Sequence, residues 1–296
     1  MPNLQLEYYS GSDLYSDGDI EDVILDIVKE SKDFTEILRT TDSWPILYHL
    51  TPMRLNLIEW YDFNPNGNLL EIGGGCGAFS GYFSKKLRDV SVVELSRRRA
   101  EIIMNRHSQC GNMDIYVGNF FDIKFNKKYD YITLIGVLEY AGKFTPTDQP
   151  YLDFLKNVKS LLNEGGKLIV AIENKFGLKY FAGAGEDHTG RMFDSIEGYP
   201  LDASVSTFGR VELEELILSA GFSETEFYYP VPDYKIPKTI YSDNYLPDVC
   251  NLGYLYSPNY DNERDLLFSE KDAMSEIIKN NNFKFFANSF LVEAKL

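Results

Sequence analysis

Apolar residues between positions 67 and 229 follow two alternating patterns. Short apolar runs of about four to eight residues predict buried strands, and longer segments with apolar residues three or four apart predict helices. The two patterns alternate along the chain, which is typical of a parallel sheet covered by helices. The predicted strands lie near Asn68–Ile72, Val90–Leu95, Met113–Val117, Tyr129–Gly136, Lys167–Glu173 and Glu224–Tyr229.

Two segments flank this alternation. Residues 1–66 predict a helical lead-in, with one helix over Ile20–Val28 and another over Pro52–Tyr61. Thr51 would be the N-cap of the second helix, and Pro52 would occupy its first position. Residues 230–282 are rich in Tyr, Pro and Asn and predict an insertion before a final strand over Phe285–Glu293. Further helices are predicted over Tyr151–Leu162 and Val211–Ala220.

Composition limits the cellular location and the kinds of binding partner that we expect. The chain has 296 residues, 44% of them hydrophobic, and no window is long and apolar enough to span a membrane. The first residues lack the basic and apolar regions of a secretory signal. The net charge of −16 disfavours nucleic acid as a partner. The three cysteines have no metal or redox spacing, so we expect a cytoplasmic, reducing setting.

The glycine-dense segment Gly73–Gly77 directly follows the first predicted strand. A strand, a glycine turn and a helix in succession bring backbone N–H groups close to a nucleotide-like cofactor. Glu71 precedes the turn, and Glu94 ends the next strand, where an acid can meet two ribose hydroxyls. The spacing from Gly73 to Ala78 also fits the dinucleotide fingerprint, so an NAD(P)-type Rossmann oxidoreductase is an alternative.

Two later segments favour a different cofactor. Gly118-Asn-Phe-Phe-Asp122 and the strand from Tyr129 to Tyr140, together with the glycine turn, resemble the motifs of class I S-adenosylmethionine-dependent methyltransferases. The resemblance implies S-adenosyl-L-methionine as cofactor, with Asn119 at the adenine amino group and Phe120 against the ring. A dehydrogenase is not expected to have both segments in this order. The implied cofactor-binding residues are Glu71, Gly73, Gly74, Gly75, Gly77, Glu94, Leu95, Asn119, Phe120 and Gly136.

The resemblance also implies a fold class and a domain organisation. The fold would be α/β and Rossmann-like, with a seven-stranded, mostly parallel sheet whose last strand inserts antiparallel between the fifth and sixth. Residues 1–66 would form a lead-in or cofactor lid, and residues 67–296 the methyltransferase domain. Residues 230–282 would form a substrate cap or an ordinary packing insertion. The candidate cap residues are Tyr234, Tyr241, Tyr245, Tyr254, Tyr256 and Tyr260.

Several longer strings resemble a bacterial methyltransferase subgroup that is associated with, or fused to, glycosyltransferases of surface-polysaccharide clusters. The strings are Trp44–Pro52, Ala171–Tyr180, Glu186–His188, Tyr229–Tyr234 and Ile240–Asp243. The resemblance implies O-methylation of a sugar, a glycan or a related small molecule, and a glycosyltransferase as a possible partner. The alternative is a non-catalytic cofactor-binding module that serves such a glycosyltransferase.

A hydroxyl acceptor must lose a proton, so the candidate site needs a base or a metal. His188 is the base that we predict, with Asp187 or Glu186 orienting its ring. The three adjacent residues also offer metal ligands, but adjacent side chains rarely all point at one ion, so no metal is expected. The catalytic candidates are His188, Glu139 and Asp187; the substrate-binding candidates are Tyr140, Glu173, Asn174, Lys179 and Tyr234.

A few polar residues outside these motifs have simpler interpretations. His49 is either a structural histidine or a contact to the methionine end of the cofactor. His107 and the run Arg97–Arg99 are expected on exposed helix faces. Lys175 and Lys179 are expected at the surface unless they meet a charged group of the substrate.

Overall fold

The computed structural model describes residues 1–13, 15–202, 204–251, 257 and 264–296. The chain divides into two compact units. The first unit comprises residues 1–134 and 161–167, and the second comprises residues 135–160 and 168–296. The predicted cofactor residues before Gly136 belong to the first unit, and the predicted catalytic and substrate-binding residues belong to the second.

The first unit contains parallel strands with a fully buried centre. The strands are β1 (Asn3–Gln5), β2 (Asn68–Ile72), β3 (Asp89–Glu94), β4 (Met113–Val117) and β5 (Tyr129–Ile135, whose last residue belongs to the second unit). Their order is β1-β4-β3-β2-β5, and every pair is parallel. All five residues of β2 are buried, as expected for a strand with a parallel neighbour on each side.

Helices of the first unit pack an apolar cluster next to the glycine turn. They are α1 (Ile20–Glu30), α2 (Thr35–Thr40), α3 (Trp44–Leu50), α4 (Ser80–Lys86) and α5 (Arg97–Arg106). Ile24 and Val28 of α1 pack in one cluster with Leu50, Cys76 and Ile102. The helix predicted over Pro52–Tyr61 is instead a 3₁₀ turn over Pro52–Leu57. Its predicted cap is confirmed, because Thr51 Oγ1 accepts the Met53 N–H at 3.3 Å.

The second unit contains the antiparallel part of the fold. Its strands are β6 (Leu162–Glu173, whose first six residues belong to the first unit), β7 (Glu224–Val231), β8 (Thr239–Ser242) and β9 (Ser289–Lys295), in the order β6-β9-β7-β8. β9 is antiparallel to β7, with Phe227 opposite Val292. The final strand therefore lies between the predicted fifth and sixth strands, as the family resemblance implies.

Six helices belong to the described part of the second unit. They are α6 (Ala141–Phe144), α7 (Pro150–Ser160), α8 (Leu178–Phe181), α9 (Arg210–Ser219), α10 (Glu270–Lys279) and α11 (Phe283–Phe286). α7 and α9 match the predicted helices within two residues, whereas α11 takes the start of the predicted final strand. In the described residues of both units, no helix has both the length and the apolar character needed to cross a bilayer.

The prediction of seven strands is wrong, because nine strands are present among the described residues. β1 adds to β4 in the segment that was predicted to be helical, and β8 forms a hairpin with β7 inside the predicted insertion. Tyr234 and Tyr241 of that insertion are buried, and Tyr245 is exposed. The candidate cap residues Tyr254, Tyr256 and Tyr260 lie outside the described residues.

His107 is not on an exposed face, contrary to the sequence expectation. Its Nε2 lies 2.7 Å from the carbonyl oxygen of Gly77, which can only accept, so Nε2 carries the hydrogen. Burial lowers the pKa of His107 to about 4, so the ring is neutral. A Cβ added at Gly81 would lie 2.3 Å from His107 Cε1, so this ring occupies the space that a side chain at position 81 would need.

Arg99 also departs from the expected exposed run, and it joins α5 to the first turn of α1 and to the segment before it. Its Nε bonds Glu21 Oε1 at 2.6 Å, and its Nη2 pairs with Asp17 Oδ2 at 2.7 Å. The side chains of Arg99 and Glu21 are 8% and 0% exposed, whereas that of Arg97 is 51% exposed and pairs with Glu101. Removing one partner of a buried pair leaves the other charge without compensation.

We therefore predict that Arg99→Met lowers the free energy of unfolding by about 3–5 kcal/mol, because Glu21 stays buried without its cation. The matched control Arg97→Met should lower it by less than about 1 kcal/mol, because that pair is exposed. Urea denaturation of the three proteins measures both values. Equal effects of the two substitutions would contradict the assignment of Arg99 as a structural residue.

Candidate functional site

The glycine turn, Gly73–Gly77, needs glycine for two separate reasons. Gly73, Gly75 and Gly77 have φ angles of 77°, 53° and 75°, in the left-handed region that glycine adopts without strain. Gly74 has a negative φ, but a Cβ there would lie 2.4 Å from Val92 Cγ1. The turn thus packs directly on β3, and the Gly73 and Gly74 N–H groups donate to the Val93 carbonyl at 2.9 and 3.1 Å.

Glu94 joins the end of β3 to this turn, as the sequence predicts for a cofactor site. Its Oε2 accepts the Gly75 N–H at 2.7 Å, and its Oε1 accepts the Ser96 N–H at 3.0 Å. The carboxyl group is buried, and burial raises its pKa above the ordinary value. A Cβ added at Gly75 would meet no described atom within 4 Å, so the turn faces open space at this residue.

Glu71, the acid before the turn, is held by a side-chain hydrogen bond. Ser80 Oγ donates to Glu71 Oε2 at 2.5 Å, a partner that sequence reasoning missed. Burial raises the pKa of Glu71 to about 8, so this carboxyl group is mostly protonated at neutral pH. Cys76 in the turn is also buried, and burial raises its thiol pKa to about 12, which excludes a reactive thiolate.

The remaining predicted cofactor residues of the first unit surround the ends of β3 and β4. Asn119 Oδ1 accepts the Phe121 N–H at 3.1 Å and so caps the 3₁₀ turn Phe120–Asp122. Phe120 is 6% exposed, and Leu95 is half-buried. His49 is buried against Asp17, with 3.0 Å between Nε2 and Oδ2, which favours its structural interpretation.

Gly136 lies in the second unit, among the predicted acceptor residues. Its φ is 68°, and a Cβ there would lie 2.9 Å from the Tyr234 hydroxyl and 3.6 Å from Glu139 Oε1. The structure therefore brings Gly136, Glu139 and Tyr234 together. Position 136 therefore favours glycine for two reasons: its φ is positive, and the Tyr234 hydroxyl leaves no room for a Cβ.

His188 is held between two glutamates. Its Nδ1 lies 2.9 Å from Glu186 Oε1, and its Nε2 lies 3.6 Å from Glu139 Oε1. The Tyr140 ring packs edge-on against the imidazole, with 5.3 Å between centroids. Burial alone would lower the pKa of His188, but contacts with Glu139 and Glu186 and the charge of Glu173 raise it well above 6.5. Burial also raises the pKa of Glu139.

Glu186, rather than Asp187, orients the imidazole. Glu186 Oε2 accepts the backbone N–H groups of His188 and Thr189, both at 2.7 Å, so the carboxylate fixes the loop as well as the ring. Asp187 instead accepts from the Tyr180 hydroxyl and pairs with lysines. The expectation that Asp187 acts directly on His188 is therefore not supported by the contacts.

Lys179 and Lys235 pair with two acids among the predicted catalytic and substrate-binding residues, Asp187 and Glu173. Lys179 Nζ lies 2.7 Å from Asp187 Oδ2, and its side chain is 5% exposed, so it is not a surface lysine. Lys235, which sequence reasoning missed, lies 2.6 Å from Glu173 Oε1 and also pairs with Asp187. Burial opposes ionisation of Asp187, but the two ammonium groups hold its pKa well below its usual range. Lys235 directly follows the string Tyr229–Tyr234, and this position was the sequence signal that could have identified it as a site residue.

Asn174 has a structural role. Its Nδ2 donates to the Phe285 and Ala287 carbonyls, both at 2.7 Å, and its Oδ1 accepts the Phe176 N–H at 3.0 Å. The residue is 0% exposed, and its amide group is used on both sides. The expectation that Asn174 binds the acceptor is therefore corrected: it joins the end of β6 to the segment before β9.

Three side chains of this group have donor atoms at a spacing that suits a metal ion. One donor atom each from Glu139, Glu173 and His188 lies within 4.8 Å of the others. This set differs from the adjacent residues that the sequence suggested. Lys235 already pairs with Glu173, and His188 has a raised pKa, so these two side chains supply positive charge to the group. The arrangement is suited to accepting and donating protons.

The raised pKa of Glu71 makes the stability of the fold depend on pH. The folded state keeps a proton that the unfolded state releases near pH 4.5, so this contribution to stability decreases as pH rises toward about 8. The expected slope is roughly 1.4 kcal/mol per pH unit. Glu71→Gln, which keeps an acceptor for Ser80, should remove this loss and be relatively more stable at pH 8 than at pH 4.5. Urea denaturation at several pH values measures the unfolding free energy of both proteins. If this free energy changed equally with pH in the parent protein and in Glu71→Gln, the assignment would be contradicted.

Comparisons with known proteins agree with the fold. A family model described as a methyltransferase domain matches residues 51–226. An uncharacterized methyltransferase of Staphylococcus carnosus (strain TM300) is 31% identical over 104 residues, which cover 35% of this chain and 46% of that protein. The chain thus spans about half the length of this curated relative.

Two solved structures from Haemonchus contortus resemble the chain. Phosphoethanolamine N-methyltransferase 1, in complex with phosphoethanolamine and S-adenosylhomocysteine, has a TM-score of 0.50 at 14% identity, over 94% of this chain and 48% of that chain. Phosphoethanolamine N-methyltransferase 2, in complex with S-adenosyl-L-methionine, has a TM-score of 0.51 at 15% identity, over 89% and 59%. Identities this low show a shared fold alone. Because the family model covers more than half of the 296 residues, the chain belongs to the methyltransferase domain family.

Proposed function

We propose that this protein is an S-adenosylmethionine-dependent methyltransferase that methylates a hydroxyl group of a sugar, a glycan or a related small molecule. The observation that carries the proposal is the hydrogen bond from the Gly75 N–H to the buried Glu94 carboxyl group. It places a glycine turn and a strand-end acid together, as a nucleoside cofactor requires. Membership of the methyltransferase domain family supports the same function.

The residues of the first unit fit this cofactor. The open space at Gly75 accepts a bound group that any side chain would exclude, and Glu94 is an acceptor suited to ribose hydroxyls. Asn119 and Phe120 are the proposed contacts for the adenine. The bound cofactor supplies an electrophilic methyl group on a sulfonium. The protein then has to hold the acceptor in line and remove its proton.

His188 is the proposed proton acceptor for the hydroxyl. Glu186 fixes the ring through Nδ1, so the Nε2 atom is the one available to exchange a proton, and Glu139 lies on that side. An imidazole with a raised pKa is a strong base but is mostly protonated at neutral pH, so the neutral fraction limits the rate. Tyr140 and Tyr234 are the proposed aromatic contacts of the acceptor.

The sugar class of the acceptor and a glycosyltransferase partner rest on the sequence resemblance. The Tyr140 ring beside His188 is compatible with a sugar, which presents apolar C–H faces together with hydroxyl groups. Lys179 and Lys235 are already paired with carboxylates, so they are less available for an anionic acceptor. These contacts favour a neutral hydroxyl acceptor over a phosphate.

The proposed function predicts tight, stoichiometric binding of S-adenosylhomocysteine and transfer of tritiated methyl groups from the cofactor to a glycan or nucleotide-sugar fraction. Gly75→Asp should abolish binding, because it adds a charged side chain in the open space and strains a residue with positive φ. Calorimetry measures binding, and a thermal melt shows whether the variant is folded. Gly18→Asp, at an open glycine with φ of 83°, is the matched control.

Two outcomes would favour the alternatives. Binding of a nicotinamide dinucleotide in place of S-adenosylhomocysteine, with absorbance of the reduced nicotinamide, would indicate an oxidoreductase. Cofactor binding without methyl transfer to any fraction of a cell extract would indicate a non-catalytic module.

We expect His188→Ala to lower kcat by about 10²–10⁴-fold, the usual effect of losing a general base. The affinity for S-adenosylhomocysteine should stay within a few-fold of that of the parent protein. In the parent protein, kcat should rise with pH up to the raised pKa of His188, because only the neutral ring accepts a proton. Glu186→Gln removes one negative neighbour, so the rise in kcat should move to lower pH.

The same kinetic experiments distinguish a base from a metal. Treatment with a chelator should leave kcat unchanged if His188 acts as the base. Near-normal turnover by His188→Ala, or an unchanged pH profile in Glu186→Gln, would exclude this role for His188. Glu139 would then be the next candidate.

A further inference from the structure

Arg54 is a buried arginine that has no carboxylate as ion-pair partner in the described part of the chain. It lies in the 3₁₀ turn Pro52–Leu57, and only 6% of the residue is exposed. Its Nε is buried and has no hydrogen-bond partner among the described residues. A guanidinium group cannot lose its charge in a protein, so an unpaired buried arginine is costly unless a ligand supplies an anion.

Two aromatic rings fix the guanidinium group. Its Cζ lies 3.9 Å from the centroid of Tyr48 and 4.9 Å from that of Phe79. Rings against the faces of a guanidinium restrain its plane and exclude water, while the donors at its edge remain able to bond. An arginine held in this way is pre-organised for a planar anion such as a carboxylate.

The charges around Arg54 do not neutralise it. Glu71 is the acid whose pKa the Arg54 charge lowers, but burial outweighs this effect and leaves Glu71 mostly protonated at neutral pH. Arg106 is a half-buried guanidinium in the same region, where it donates to the carbonyls of His49 and Cys76 at 2.7 and 3.0 Å. Neither Glu71 nor Arg106 therefore compensates the charge of Arg54.

Arg54 also lies beside the glycine turn. Glu71 lies two residues before that turn, and Phe79 lies two residues after it. Arg106 joins the carbonyl of Cys76, within the turn, to the end of α3, from which the chain continues to Arg54. A ligand that occupies the turn can therefore bring an anionic group to Arg54.

We propose that Arg54 binds the α-carboxylate of the amino-acid portion of S-adenosylmethionine. This inference rests on the proposed function. The cofactor carries one carboxylate, at the end opposite its adenine, and a guanidinium fork can bond both of its oxygens. In this account Arg54 is a binding residue of the lead-in, and Tyr48 and Phe79 are positioning residues that act through it.

The proposal is tested by combining a substitution of Arg54 with the removal of the carboxylate from the ligand. The ligands are S-adenosylhomocysteine and its decarboxylated analogue, which keeps the amine and lacks only the carboxylate. Calorimetry would give the Kd of each ligand for the parent protein, Arg54→Met and Arg54→Lys. Arg39→Met, at an exposed arginine of the same lead-in, is the matched control.

We expect Arg54→Met to weaken binding of S-adenosylhomocysteine by about 10–100-fold, the usual effect of losing a charged hydrogen-bonded pair. Binding of the decarboxylated analogue should change by less than about 3-fold, because that ligand lacks the group that Arg54 contacts. Arg54→Lys should give an intermediate loss, since it keeps the charge and loses the fork. Arg39→Met should behave like the parent protein with both ligands.

Equal weakening of both ligands by Arg54→Met would overturn the proposal, since Arg54 would then only support the packing of the turn. No weakening of either ligand would also overturn it. If Arg54→Met does not fold in a thermal melt, Arg54→Lys and the two ligands on the parent protein complete the comparison. If the parent protein binds neither ligand, the proposed cofactor itself is wrong, a result distinct from a failure at Arg54.

Discussion

A carboxyl group that is removed from water must find hydrogen-bond donors, a cation or a proton, and this constraint organises both units. Four buried glutamates meet it in different ways. Glu94 accepts two backbone N–H groups, one from the glycine turn. Glu71 keeps a proton and accepts from a serine, Glu173 pairs with a lysine, and Glu139 lies against an imidazole. Each solution fixes a neighbouring segment, so the local structure and the chemistry of these groups have one cause.

Strand ends explain where these acids lie. Glu94 and Glu173 are the last residues of β3 and β6, and Glu139 follows β5 by four residues. The ladder of backbone hydrogen bonds ends there, so side chains and backbone N–H groups are released from the sheet. Within the first unit, parallel strands collect such groups at their carboxyl ends, where ligands of α/β proteins bind.

The sequence predicted the features that depend on local pattern. β2 and β4 have the predicted bounds because short apolar or alternating runs are typical of strands, and the glycine turn was predicted from composition and position. β1 and β8 were missed because strands of three and four residues carry too little periodicity. The burial of Lys179 and Arg99 was missed for another reason: a charged residue becomes an interior residue only through partners distant in sequence.

The contact between Gly81 and His107 has an evolutionary consequence. These positions are 26 residues apart in sequence, but the ring of His107 fills the space that any side chain at position 81 would occupy. The two positions therefore cannot vary independently. A lineage that replaces Gly81 must first accept a smaller residue at position 107, and such a residue also loses the hydrogen bond to the Gly77 carbonyl. Selection at position 81 thus extends to His107, the residue that follows α5.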